Sequence, residues 1–183
     1  MAVLKDSGAR RKFASGAVRD ISEGKGRMDL MPLGEVAKYI RYLHSEDKDS
    51  RYLIGSDILD CLNNFIYHGD VSNIYEAISL FNKNLMTSDE VDKDLPDTEL
   101  FRMLVGVSRQ FEAGANKYSA RNWEAGIDIW CYLDSGTRHL IKFLDGWEDE
   151  KHQNSFLWNM FGLLWTLENH PELNDLPYTK TLT

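Results

Sequence analysis

A chain of 183 residues, 43% of them hydrophobic, is long enough for one domain with a real core. Its 29 acids against 21 bases give a formal net charge of −8, which excludes a general nucleic-acid binder, because such a protein needs a basic face to displace counterions. A nucleotide substrate stays compatible, since a few bases and a bound cation override the net charge locally. The two cysteines, Cys61 and Cys131, form no CxxC pair. Neither a disulfide framework nor a zinc ribbon is expected, and a reducing cytoplasm is. No apolar run resembles a signal peptide or approaches the length of a bilayer span, so the expectation is a soluble cytoplasmic protein with no membrane and no nucleic-acid partner.

In chain order, residues 1–10 lack periodicity and read as a frayed terminus. Residues 13–32 set Gly16, Gly24 and Gly26 among Arg19, Lys25 and Arg27, a flexible basic segment. Glycine lets a backbone come close to a ligand, and Arg or Lys neutralises phosphate oxygens. The GKGR inside it lacks the spacing and the Ser/Thr of a P-loop, and on spacing alone a plain surface loop is favoured by about two to one. Residues 33–43 predict a short amphipathic helix with Leu33, Val36, Ala37, Ile40 and Leu43 on one face. After a charged linker, Ser56 is expected to cap a second helix carrying Ile58, Leu59, Leu62, Phe65 and Ile66, and Asp70 or Ser72 to start a third. Residues 87–97 form an acidic loop. No chemistry is visible from His44 to Asp97, and the segment reads as a helical insertion or packing layer.

Asp97 or Thr98 then caps a longer helix with Leu100, Leu104, Val107, Phe111 and Ala115 on one stripe, ending near Tyr118. A loop through Asn122, Trp123 and Gly126 leads to a helix from about Ile129 to Leu144, with Gly146 as its stop. An acidic turn and a last helix, roughly 152–169, follow, and Pro171 ends it. Strand signals are scarce, with no sustained alternation and no Asn-Gly or Asp-Gly hairpin turn. The fold class is all-α, in a single domain.

The densest polar run lies between Phe111 and Asn159, where Glu112, Lys117, Asn122, Trp123, Asp134, Arg138, His139, Asp149, Glu150, His152 and Asn159 alternate acids with bases. Asp134 and Arg138, four apart, meet on one helix face; the pair is either a surface ion pair worth a few tenths of a kcal/mol or an acid for a cation beside a base for phosphate. Asn159 sits in the apolar run FLWNMFGLLW and needs a partner, so a core hydrogen bond and a ligand-facing amide are about equally expected. Carboxylates near Asp134 suit Mg²⁺ or Mn²⁺. Zinc is less expected, because His139 and His152 stand in no HExxH or Cys/His spacing. No histidine precedes an aspartate, which removes the HD-type phosphohydrolases.

In combination SGAVRD, GKGRMDLMP, FEAGANKYSARNWEAGI, DSGTRHLIKFLDGWEDEKH and FLWN resemble the phage and prophage family of dATP/dGTP diphosphohydrolases, relatives of the all-α MazG-like nucleoside triphosphate pyrophosphatases. The resemblance covers residues 13–40 and 100–177, with 41–99 as an insertion. It implies a four-helix-bundle-like core assembled as a homo-oligomer, a dimer or tetramer, in the host cytoplasm if phage-encoded. It also implies Mg²⁺ or Mn²⁺ and hydrolysis of a deoxynucleoside triphosphate, dGTP or dATP first, to monophosphate and pyrophosphate. By motif, Glu112 and Asp134 would be metal ligands, with Asp149 or Glu150 next. Lys117, Arg138 and His139 would contact phosphates, Asn122, Trp123 and Asn159 would line the substrate pocket, and the loop with Arg19, Lys25 and Arg27 would close over it. The related pyrophosphatases pair acids at ExxE and ExxD. Arg109, Ser108, Ala115 and Asn116 surround Glu112 instead, and Asp134 has no acid three or four residues away. That departure motivates the alternative of a catalytically decayed nucleotide-binding or protein-interaction module.

Overall fold

Apolar residues at helical spacing dictate most of what is seen. The structure, a computed structural model, describes residues 10–20, 34, 36–39, 41–42, 50–85 and 99–178. Among the described residues the longer helices run in order: α1 (Ser50–His68), α2 (Ser72–Leu85), α3 (Glu99–Lys117), α4 (Ile129–Leu144) and α5 (His152–Asn169). Short 3-10 turns span Asn122–Ala125 and Pro171–Leu173. The fold is all-α, and among the described residues no helix is long and apolar enough to cross a membrane. Residues 34, 36–39 and 41–42 are helical, in the stretch where the first amphipathic helix was expected; Leu33, Ile40 and Leu43 fall outside the described residues.

The centre is the α4–α5 pair. Gly136 approaches Met160 while Tyr132, further back along α4, meets Gly162, further on along α5, so the two helices run antiparallel. Tyr132, Leu133 and Leu140 from α4 and Phe156, Leu157, Met160 and Leu163 from α5 are fully buried. Each such large side chain contributes about 1.5–3 kcal/mol by leaving water. The end of α4 is set by sequence: Gly146 takes a φ of 75°, Trp147 N–H donates to the Lys142 carbonyl and Gly146 N–H to that of Phe143, which together form a Schellman motif. That turn reverses the chain into α5.

α1 and α2 pack on each other and against the pair. Phe81 of α2 sits 5.2 Å from the Phe143 ring and 4.7 Å from that of Phe156. Ser56 does not cap α1 as expected; the helix begins at Ser50, and Ser56 is buried within it, donating to the Leu53 carbonyl at 2.6 Å. At the start of α2, Asp70 accepts from Ser72 N–H at 2.9 Å. α3 leans on α5 through Met103 and Val107, whereas Leu100 and Leu104 of the predicted stripe are exposed. Leu104 lies about 100° around α3 from Met103, and Leu100, which shares the phase of Val107, lies in the first turn, before the buried stretch begins.

The segment expected to be a frayed end and a flexible basic loop holds a small hairpin at its start. β1 (Arg10–Lys12) and β2 (Val18–Asp20) form an antiparallel hairpin, with Arg11 opposite Arg19. Gly16, at a φ of 94°, makes its turn, and Phe13 and Ala17 are buried beneath it. Strands of three residues are too short to produce an alternating pattern, so the sequence carries no period-two signal there.

Candidate active site

A cavity of about 700 Å³ opens between the hairpin, α3, the 122–125 turn, α4 and α5. Of the residues expected at the site, Arg19, Lys117, Asn122, Trp123, Asp134, Arg138, His139, Asp149, Glu150 and Asn159 line it. Glu112 does not: it is exposed on α3 and stands outside the lining. Lys25 and Arg27, expected to close over a substrate, lie outside the described residues.

Each lining group is placed by its element. Arg19 on β2 reaches across to α4 and α5, donating to the Cys131 carbonyl at 3.0 Å and to Asn159 Oδ1 at 2.7 Å, with its guanidinium over the Tyr132 and Trp158 rings. Asn159 is buried, and its amide donates to the Ser155 carbonyl at 2.7 Å. The core hydrogen bond expected of Asn159 is therefore present, and the residue also lines the cavity. Asn122 accepts from Val18 N–H at 3.0 Å and donates to the Val18 carbonyl at 2.9 Å, so its amide acts as one more strand residue beside β2. Arg11 lies over Phe13 and Trp130 and pairs with Asp128 at 3.5 Å. The hairpin is thereby pinned over the start of α4.

One wall is aromatic. Trp123 lies 5.5 Å from Phe111 and 4.9 Å from Trp165, both edge-on, and Phe111 is 5.8 Å from Trp158. Such rings offer flat apolar area with favourable edge-to-face pairing. Asp134 and Arg138 do meet, at 2.6 Å, but not as a surface pair: their side chains are 4% and 14% exposed. At that burial the geometry is worth more than a surface pair, against a large desolvation cost. Ser155 Oγ is buried without a hydrogen-bond partner among the described residues, and Ser155 lines the cavity.

The other wall carries titratable groups at the α4–α5 turn. His139 Nδ1 and His152 Nδ1 are 3.0 Å apart, and Glu150 Oε1 lies 3.3 Å from the first and 3.5 Å from the second. His152 Nε2 meets Asp149 Oδ1 at 2.8 Å, and Lys142 Nζ donates to Asp149 Oδ2 at 3.2 Å. Burial pushes the His139 imidazole down to about 3, helped by His152 and then by Arg19, Arg138 and Lys142, so it is neutral at ordinary pH. Burial alone would raise the Asp149 carboxyl, but hydrogen bonds from His152 and Lys142 outweigh it and hold it below its usual value. Among the described residues, His139, Glu150 and His152 are a group able to hold a metal ion together. The spacing of His139 and His152 in the sequence gives no hint of this; the antiparallel turn between α4 and α5 creates it.

Residues 86–176 match the family model described as dATP/dGTP diphosphohydrolase, N-terminal. No curated protein and no solved structure matches the chain. The matched segment holds α3, α4, α5 and, apart from the hairpin, every residue that lines the cavity. Over that segment the chain belongs to the dATP/dGTP diphosphohydrolase family.

Proposed function

We propose that this chain hydrolyses a deoxynucleoside triphosphate, dGTP or dATP first, to the monophosphate and pyrophosphate, using a divalent ion such as Mg²⁺ or Mn²⁺. The observation that carries the reading is one cavity whose walls differ in kind: aromatic rings on one side, cations and metal-capable donors on the other. Its volume is in the range of small-molecule sites. At 1.5 Å of rise per residue, Trp158 lies about 9 Å along α5 from His152, a span that a sugar and its phosphates can bridge. A base would stack against Trp123 or Trp158, which selects little between bases.

The donors at the α4–α5 turn fit a divalent ion: two imidazole nitrogens and a carboxylate oxygen converge, with Asp149 behind them. When bound, such an ion neutralises triphosphate charge and lowers the pKa of a water. Lys117 and Arg138 would hold phosphate oxygens and stabilise charge that builds on the leaving pyrophosphate. Asp134 would hold the Arg138 guanidinium toward the cavity. Arg19 and Asn159 would shape the pocket rather than swing over it, since each already holds the other. Glu112, carried over from the motif as a ligand, would serve from an exposed position and therefore through another group or another subunit. A homo-oligomer is part of this reading, supported by the exposed Leu100, Phe101 and Leu104 along α3.

Product analysis tests it: the purified protein with each dNTP and NTP, with Mg²⁺ or Mn²⁺, then with EDTA. Monophosphate and pyrophosphate that disappear with EDTA are expected, with dGTP or dATP preferred. Release of inorganic phosphate or of intact triphosphate would move the chemistry to another bond and end the reading. No turnover on any substrate would leave the binding-module alternative, which a thermal-shift screen with nucleotides then addresses.

A further inference from the structure

The ligand atoms at the α4–α5 turn have a shape that a carboxylate cluster does not. Two donors each about 2.1 Å from one ion stand about 3.0 Å apart at a right angle and about 3.4 Å apart at a tetrahedral angle. The edges between His139 Nδ1, His152 Nδ1 and Glu150 Oε1 are 3.0, 3.3 and 3.5 Å. A point about 2.1 Å from all three exists, roughly 0.9 Å off their plane, so the three occupy one face of a coordination sphere and leave the other open. His139 and Glu150 line the cavity, so the three donors stand at its border.

The other nitrogen of His152 points the same way. An ionised carboxylate only accepts, so in the 2.8 Å contact with Asp149 Oδ1 the His152 Nε2 donates. His152 Nδ1, on the opposite side of the ring, faces a carboxylate oxygen at 3.5 Å and another imidazole nitrogen at 3.0 Å. A cation satisfies all three. The Asp149–His152 contact is also the outer bond that metal-binding histidines usually make, and Lys142 holds Asp149 in turn.

We propose that His139, His152 and Glu150 form a two-histidine, one-carboxylate seat for a first-row transition ion, oriented by Asp149 and filled before any nucleotide arrives. Imidazole nitrogen favours Mn²⁺, Co²⁺ or Zn²⁺ over Mg²⁺, which prefers oxygen and retains its waters. The seat rests on the hydrolase reading for its catalytic purpose, but its existence can be measured without turnover.

The full chain is stripped with chelator and titrated with Co²⁺, followed by visible d–d absorption, and separately loaded with Mn²⁺ for pulsed electron paramagnetic resonance. One Co²⁺ per chain is expected, undisturbed by excess Mg²⁺, with coupling of Mn²⁺ to imidazole nitrogen. His139→Ala and Glu150→Gln should each weaken Co²⁺ binding by at least about tenfold, and Asp149→Asn by about 10–100-fold. Bound Mn²⁺ without nitrogen coupling overturns the seat whatever the variants do, as does Co²⁺ held equally well by His139→Ala. Nitrogen-coupled Mn²⁺ in a protein that cleaves no nucleotide would keep the seat and end the hydrolase reading. Cleavage with Mg²⁺ and no nitrogen coupling would do the reverse.

Discussion

Asp134 lines the cavity, yet a substitution there changes more than any chemistry it performs. Its carboxylate is buried against Arg138, so Asp134→Asn removes the charge that a guanidinium in the interior holds at 2.6 Å. Breaking a buried pair in this way is expected to cost about 3 kcal/mol, read as a shift of the urea midpoint. Lost turnover in that variant therefore mixes chemistry with stability; Glu150→Gln, on a side chain 20% exposed, separates them better. His139 carries a second residue-scale consequence. It is neutral in the folded chain down to about pH 3, whereas in the unfolded chain it titrates near 6.5. Between those values the unfolded state binds the extra proton, so stability of the metal-free protein is full above about 6.5 and falls as pH drops toward 3, by up to about 1.4 kcal/mol per unit. Urea midpoints at pH 7.5, 6.5 and 5.5 should fall less steeply in His139→Gln than in the parent. Equal slopes would remove His139 as the cause.

At the scale of elements, two glycines make opposite predictions. A Cβ on Gly162 of α5 would run into the buried Tyr132 ring of α4, which has nowhere to go. Gly162→Ala gains about 1 kcal/mol of helix propensity but is expected to lose more to overpacking, for a net destabilisation of about 1 kcal/mol. It should also part α4 from α5 and with them the walls of the cavity. A Cβ on Gly114 of α3 meets nothing within 4 Å, so Gly114→Ala should stabilise by about 0.5–1 kcal/mol. Chemical denaturation of both decides; a stabilising Gly162→Ala would mean that the helices have room to move. The limits of α4 and α5 are legible in the sequence because apolar spacing, Gly146 and Pro171 mark them directly. The lining of the cavity by Asp134, Arg138 and Asn159 follows from the same helix phases. What is not legible is what needs two elements at once. His139 and His152 stand 13 residues apart and meet because α4 and α5 reverse at the turn between them. The paired hydrogen bonds between Asn122 and Val18 need a hairpin too short to leave a pattern. Glu112 was singled out by its motif alone, although the apolar stripe through Val107 and Phe111 already sets it about 100° around α3 from the packed side.

For the whole molecule, the question is whether α1 and α2, outside the matched segment, fold with the site or apart from it. Phe81 is fully buried between Phe143 of α4 and Phe156 of α5, and Gly55 of α1 stands against Leu144 so closely that a Cβ would strike it. A shared core of this kind predicts one cooperative transition. The tryptophans allow a direct check, because Trp123, Trp130, Trp147, Trp158 and Trp165 all lie outside residues 50–85. Tryptophan fluorescence therefore reports on α4, α5 and the cavity, while far-ultraviolet circular dichroism reports on every helix. Coincident urea transitions by the two probes are expected, and an early helical loss without a fluorescence change would mean that α1 and α2 unfold on their own. Phe81→Ala sharpens the comparison. It removes a ring that touches both central helices, at an expected cost of about 3–5 kcal/mol. If the core is shared, the variant shifts both transitions by the same amount, although no tryptophan lies in α2. If the fluorescence midpoint stays where it was, the added helices contribute nothing to the stability of the site, and the cavity is held by the hairpin and residues 99–178 without them.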